Sequence, residues 1–484
     1  MRGVKADRDP VLPRRREPSS ATRSGHPPLR VNAAAALALL LAVPAAAQKA
    51  PEPTPYQRAV AAGYKAAMLC SAVFNAGRKE KEVAADELRG IYPEYDAIVP
   101  TLDAEVDRDA GSVTVAWSPT LPPRQAVWRL GRGCTTFPIG TDPDGLALHQ
   151  RAKPPRPAGA DRRPWPMGDR GVSARPSKPL AAIVVRAFDG ASYGADSETV
   201  GVVVLRDGKI VAERYRQGFG PYTANRTWSV AKSLAGALVG VAQAQGAIDV
   251  AAPAPVPEWR TPGDPRAALT TDQLLRMSSG LHSDTAGNRT DAVYFGGTAV
   301  TEETVGWPLE TRPGARFRYA NNDILLAIRG LRARLGDDRY RDFPARELFG
   351  RLGMTHTVAE ADWRGDYILS SQVWSTARDL TRFGQFMLQD GVWEGRRLLP
   401  ERWIADSIRP SGPQPASGPG YGRTLWLFGP KQGLPAGSYA AQGNRGQYVM
   451  VVPSERLVVV RRGEDPGLAR FDIAKFTADV IAAR

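Results

Sequence analysis

The run Asn225-Arg226-Thr227-Trp228-Ser229-Val230-Ala231-Lys232-Ser233 leads into a segment rich in Ala, Gly, Leu and Val that continues through Ala242. That composition makes a helix with no polar face, which belongs in a core. Ser229 falls at its first turn, and a spacing of three puts Lys232 on the same face. The exposed N–H groups of a helix start favour negative charge, so a serine alkoxide is stabilised there. A lysine on a buried helix loses solvation and its pKa falls, which lets it accept a proton from a serine. The bland alternative is an N-cap serine beside a lysine that reaches for solvent along its own stem. The Ser-x-x-Lys spacing occurs once in the 484 residues.

Working outward, Tyr319-Ala320-Asn321 is the only Tyr-x-Asn of the chain. In an extended segment both side chains face one way and can enter one cleft. A phenol beside a lysine can shuttle protons, and an asparagine amide can orient the lysine or hold a substrate carbonyl. The competing explanation is a packed aromatic next to a turn asparagine. Gly443-Asn444-Arg445-Gly446-Gln447 leads into a strand pattern. Glycines allow close backbone approach, and the N–H groups of Ser229 and Gln447 can form an oxyanion hole, a plain hairpin loop being the alternative. Other constellations are poor: there is no Gly-x-Ser-x-Gly elbow, the four histidines (His26, His149, His282, His356) are scattered, and phosphate-loop, nicotinamide and zinc patterns are absent. The sequence therefore calls for no cofactor and no metal.

The strands come from the two ends of the main segment. Val200–Leu205 and Lys209–Tyr215 alternate around Asp207-Gly208, a tight-turn signal. Gln447–Val452 and Leu457–Arg462 form a second hairpin, Tyr439–Gln442 adds a fifth strand, and Leu468–Ala483 reads as a closing helix. The fold class is α+β: an antiparallel sheet of about five strands made by both ends of the domain, flanked by helices and interrupted by a helical insertion. Residues 180–484 form this domain. Residues 48–152 read as a small accessory region, with helices over Pro55–Gly77 and Lys79–Tyr92 and strands at Ser112–Trp117 and Ala126–Leu130. Residues 153–179, dense in Pro, Arg and Gly, read as a linker or a strap along the surface.

Residues 1–47 carry eight Lys/Arg against three Asp/Glu, so +9 of the net +14 is spread over the rest without a basic block. An arginine-rich soluble protein, rather than a nucleic-acid binder, is the reading of that distribution. Arg30, the apolar Ala33–Val43 and the small Ala45-Ala46-Ala47 form an export signal with cleavage near Gln48, and Met1–Leu29 reads as an extension upstream of it. An uncleaved anchor is the alternative; either way membrane contact is confined to this segment, and the mature chain is expected in the periplasm or outside the cell. Cys70 and Cys134, the only cysteines, form either one bridge or two buried thiols.

Together, Ser229-Val230-Ala231-Lys232, Tyr319-Ala320-Asn321 and the glycine-rich strand entry near the end resemble the penicillin-recognising, class C-like beta-lactamase-related serine hydrolases. Leu274–Leu281 and Trp374–Leu380 with Arg382-Phe383-Gly384 look family-like as well, and Ser229–Ser233 resembles the 6-aminohexanoate-dimer hydrolase branch most. The resemblance covers Leu180–Arg484. It implies an acyl-enzyme on Ser229, proton transfer by Lys232 and Tyr319, and an oxyanion held by the N–H groups of Ser229 and Gln447. It also implies substrate contacts from Asn321, Asn444, Arg445 and Gly446. The family's Lys-Thr-Gly is replaced by Asn444-Arg445-Gly446, which favours an esterase or an amidase for small-molecule or short peptide-like substrates. A beta-lactamase or D-Ala-D-Ala carboxypeptidase is the alternative within the class, and a catalytically silent envelope binding protein the alternative outside it. The sequence is silent on oligomeric state.

Overall fold

The strand pair that reads most clearly in the sequence forms with nearly the same bounds: Thr199–Arg206 runs antiparallel to Lys209–Tyr215. Both turn residues have positive φ, 50° at Asp207 and 76° at Gly208, as a type I′ two-residue hairpin turn requires. This is a computed structural model, and it describes residues 52–142, 162–283, 290–410 and 412–483. The upstream extension and export signal (1–47), residues 153–161 of the linker, His26 and His149 lie outside the described residues.

The main sheet has seven strands in the order Gly420–Tyr421, Trp426–Phe428, Ser438–Gly443, Gln447–Val452, Leu457–Gly463, Thr199–Arg206 and Lys209–Tyr215. The two ends of the chain therefore meet in the middle, where Leu457–Gly463 pairs antiparallel with Thr199–Arg206. The expected five strands become seven because Gly420–Tyr421 and Trp426–Phe428 extend the edge. Two or three residues are too few to show a period of two.

Side chains alternate between two cores. Val203, Leu205, Val449, Val451, Val458 and Val460 face the helices Val230–Ala244 and Ala377–Leu388. Val202, Val204, Met450 and Val459 face the helices Lys178–Arg186 and Ile473–Ala482. Covering both faces explains why these strands read as runs of valine. Each such buried side chain contributes about 1.5–3 kcal/mol.

Ahead of the sheet lies a helix, Pro55–Phe74, capped by Thr54 and Gln57. It packs on four antiparallel strands, Ala104–Asp107, Ser112–Val115, Arg124–Arg129 and Gly133–Thr136. The second helix expected over Lys79–Tyr92 is shorter, Glu80–Ala85. Pro53–Arg484 form one unit, and the contacts show why. The Arg124 guanidinium donates to the Phe295 carbonyl at 2.8 Å, and Tyr95 donates to Asp291 at 2.8 Å. The Glu360 carboxylate accepts from the Ser71 hydroxyl at 2.6 Å and the Cys134 N–H at 2.9 Å. A side chain at Gly63 would collide with the Phe295 carbonyl, so the helix can lie this close only with glycine there. Trp228, the residue before Ser229, belongs to the same apolar cluster as Tyr64 and Trp128.

Cys70 and Cys134 are bridged, tying the helix to the last strand across 64 residues. Closing a loop of that length restricts the unfolded chain, so Cys70→Ser with Cys134→Ser should lower stability by about 2–4 kcal/mol. Denaturant unfolding under non-reducing conditions checks this. An unchanged midpoint would mean that the bridge adds nothing to the docked helix.

Candidate active site

A short strand, Asn225–Arg226, delivers the chain to the mouth of the helix Val230–Ala244. It is fixed from behind by Arg462, whose guanidinium donates to the carbonyls of Asn225 at 3.0 Å, Arg226 at 3.2 Å and Ser375 at 2.5 Å. Trp228 then takes φ 49°, a left-handed conformation that is costly for a bulky residue. Arg226 stacks on the Trp228 ring at 3.8 Å and donates to the Ser371 hydroxyl at 2.8 Å. The turn places Ser229 at the N-cap position, yet its hydroxyl makes no capping bond. The simple N-cap explanation of the serine therefore fails.

The hydroxyl is bonded to Lys232 instead. The Lys232 amine lies 2.9 Å from Ser229 Oγ, 2.6 Å from Asn321 Oδ1 and 2.8 Å from the Ser370 carbonyl. Lys232 is only 1% exposed, so it does not reach solvent. Burial, and after it the Arg226 guanidinium, holds its pKa well below that of an ordinary lysine. As a neutral amine it has two N–H bonds, which the two carbonyl oxygens can accept. That leaves its lone pair for the Ser229 proton.

Tyr319 completes the group. Its side chain lines the cleft beside Ser229, its ring centroid lies 5.0 Å from the Lys232 amine, and burial raises its pKa against the opposing effect of the Ser229 side chain. Asn321 reaches Lys232 as the first residue of the helix Asn321–Leu335, with Tyr319 in the segment just before. The strand-like alternation expected of the Tyr-x-Asn pair is thus replaced by a helix start. Its amide also donates to Thr290 at 3.3 Å.

The glycine-rich turn departs further from expectation. Gly443, at the end of the strand Ser438–Gly443, and Asn444 line the same cleft as Ser229. A side chain at Gly443 would collide with the Thr227 carbonyl and come within 3.0 Å of the Ser229 nitrogen. Gln447 does not line this cleft. It is fully buried, donating to the carbonyls of Arg445 and Gly463 and accepting from Arg462. The turn between the strands sets Gln447 back behind Arg445 and Gly446, so that Gly443 and Asn444, not Gln447, border Ser229.

Arg445 is not available to grip a substrate either. It adopts φ 54° and sends its guanidinium away from Ser229, to Glu464 at 3.0 Å and to the carbonyls of Asp86, Arg89 and Gly90. Only its remaining surface, with Gly446 and the exposed Asn444, borders the cleft. No sequence signal tied Arg445 to the accessory region.

The cleft holds about 440 Å³ and is walled by Tyr319, Trp426, Trp228, Tyr294 and Tyr92. Tyr92 comes from the accessory region and meets Trp228 edge-on at 6.3 Å. Among the described residues, no group of three or more His, Cys, Asp or Glu is placed to hold a metal ion.

A hydroxyl, a desolvated amine and a phenol gathered at a helix mouth beside an antiparallel sheet define a serine hydrolase of the beta-lactamase/transpeptidase-like fold. Residues 184–481 match the family model described as Beta-lactamase, and the chain belongs to that family. It is similar to the 6-aminohexanoate-dimer hydrolase of Paenarthrobacter ureafaciens, with 28% identity over 327 residues, 62% of this chain and 81% of the relative. Two solved structures share the fold. One, provisionally assigned as a 6-aminohexanoate-dimer hydrolase of Bacillus anthracis, has a TM-score of 0.50 at 21% identity, covering 59% of this chain and 78% of that one. The other, provisionally assigned as a beta-lactamase of Bacteroides dorei DSM 17855, has a TM-score of 0.52 at 18% identity, covering 63% and 98%. The accessory region lies ahead of the family match.

The displaced pKa of Lys232 has a consequence for stability. In the unfolded chain the ammonium titrates near its ordinary value of 10.5, and in the folded chain well below it. Between the two values the unfolded state binds more protons, so stability contributed at this site rises with pH. The stability of wild type relative to Lys232→Met should therefore increase as pH is raised from neutral toward 10. Melting temperatures of both proteins across that range check this, and a constant difference would mean an unperturbed amine.

Proposed function

We propose that this chain is an exported hydrolase that cleaves a linear amide or ester bond through an acyl-enzyme on Ser229. The observation that carries the reading is the set of contacts around Lys232, in which two carbonyl oxygens and the Ser229 hydroxyl surround one desolvated amine. The Ser229 oxygen attacks the substrate carbonyl while its proton passes to the Lys232 nitrogen. The tetrahedral oxyanion is held by the N–H groups of Ser229 and Asn444. Tyr319 gives its proton to the departing oxygen or nitrogen and is resupplied from Lys232. Water then attacks the ester on Ser229, the same groups take up its proton, and the acid leaves.

Two facts favour linear substrates over beta-lactams or D-Ala-D-Ala peptides. The curated relative is named as a hydrolase of a 6-aminohexanoate dimer. The cation of the strand-end motif, Arg445, is spent on a buried network with Glu464, so that motif offers no free charge to a substrate carboxylate and Arg470 is the cation left at the cleft wall. Export is supported by the signal-like segment before Gln48 and by the Cys70–Cys134 bridge, since such bridges persist in oxidising compartments.

Purified protein should hydrolyse p-nitrophenyl butyrate and turn over nitrocefin slowly or not at all. Lys232→Ala and Tyr319→Phe should each lose about 10²–10⁴-fold in kcat. Ser229→Ala should be inactive, and Gly443→Ala strongly impaired, because the added methyl crowds the Ser229 nitrogen. Circular dichroism should show all four folded. Wild-type rates in folded Lys232→Ala would defeat the mechanism, and fast nitrocefin turnover would reverse the substrate ranking.

A further inference from the structure

The cleft beside Ser229 does not end at the family domain. Beyond Trp228 and Asn444 lies a second, more enclosed compartment of about 230 Å³. The two spaces share Tyr92, Trp228, Asn444, Arg445 and Arg470 in their walls, so they adjoin along that line. The far walls belong to the accessory region: Tyr64, Gly90, Ile91, Tyr92 and Pro93. Leu468 forms part of the rim and is 89% exposed.

These walls are built to keep their shape. Trp228 is held between the Arg226 guanidinium and the edge of Tyr92. Tyr92 is also in edge contact with Tyr95, whose hydroxyl is bonded to Asp291. The Tyr64 ring packs on Phe295 at 4.7 Å and its hydroxyl donates to the Glu87 carbonyl at 3.1 Å, so this fully buried side chain backs the wall rigidly. The Arg445 guanidinium, bonded to the carbonyls of Asp86, Arg89 and Gly90, fixes the backbone that carries Ile91 and Tyr92. A preformed, mostly apolar space with few polar groups is what an apolar ligand arm binds without paying to order the site.

The compartment also has a side. Tyr319 and Trp426 line the first cleft and not the second. If Tyr319 delivers the proton to the leaving group, the leaving group occupies the Tyr319 side, and the space beyond Trp228 and Asn444 faces the acyl half of the substrate.

We propose that the accessory region supplies the acyl-binding subsite of this enzyme, with Tyr92 as its specificity-determining residue, and that the substrate carries an aromatic or medium-length aliphatic acyl group. This rests on the reading of Ser229 as the acylated residue. It assigns a use to residues 53–142 that the family domain alone does not provide.

The test compares p-nitrophenyl acetate with p-nitrophenyl phenylacetate and octanoate, which share one leaving group, on wild type, Tyr92→Ala, Tyr92→Phe and Ser229→Ala. Wild type should favour the larger acyl groups in kcat/KM by about tenfold or more. Tyr92→Ala should erase that preference, mainly through the KM of the larger substrates and whatever its effect on acetate turnover, and Tyr92→Phe should keep it. An unchanged acyl preference in Tyr92→Ala, with acetate turnover still abolished in Ser229→Ala, would overturn the subsite and leave the hydrolase reading standing. Turnover that persists in Ser229→Ala would overturn the hydrolase reading and the subsite with it.

Discussion

The structure is organised around one amine that has been taken out of water. Lys232 sits on a helix with no polar face, and burying its charge there would cost several kcal/mol unless it is paired or neutral. Among the described residues no carboxylate is hydrogen-bonded to it; the partners are Asn321, the Ser370 carbonyl and the Ser229 hydroxyl. Arg226, close enough to act on it through space, adds positive charge and pushes it further toward the neutral form. Such an arrangement weakens the fold and favours the neutral form of the amine, a trade that active sites make repeatedly.

Much of the remaining architecture holds that amine and its hydroxyl in register. The sheet formed by both chain ends supplies Arg462, which clamps the Asn225–Arg226 strand before the helix mouth. The strand Ser438–Gly443 of the same sheet brings Gly443 against the Ser229 nitrogen, where any side chain would obstruct. The left-handed turn at Trp228 allows Ser229 to open the helix without spending its hydroxyl on a cap. The accessory region presses on the same point from outside through Tyr92 and the Trp228 cluster.

What the sequence revealed follows from how local each feature is. Asp207-Gly208 and the valine runs encode their hairpin within a few residues, so strands and turn were legible. Ser229 and Lys232 share one helix face, so their meeting was legible too, and Tyr319-Ala320-Asn321 could be attached by motif. The partners that complete the site were not. The Ser370 carbonyl carries no side-chain signal, and Tyr92 is one aromatic among fourteen tyrosines. Gln447 is set back from the cleft by a tight turn with Arg445 at φ 54°, a geometry that residue spacing does not resolve. Arg445 looked like a substrate cation until its five donors were found committed to Glu464 and three carbonyls of the accessory region.

The measurement that bears most directly on all of this is the titration of the Lys232 amine itself, by nitrogen-15 NMR of lysine-labelled protein with Lys232→Ala to assign the resonance. The expected result is deprotonation well below 10.5, with the neutral amine present at the pH of turnover. A resonance that stays that of an ammonium ion up to pH 10 would contradict the proposed base and the mechanism built on it.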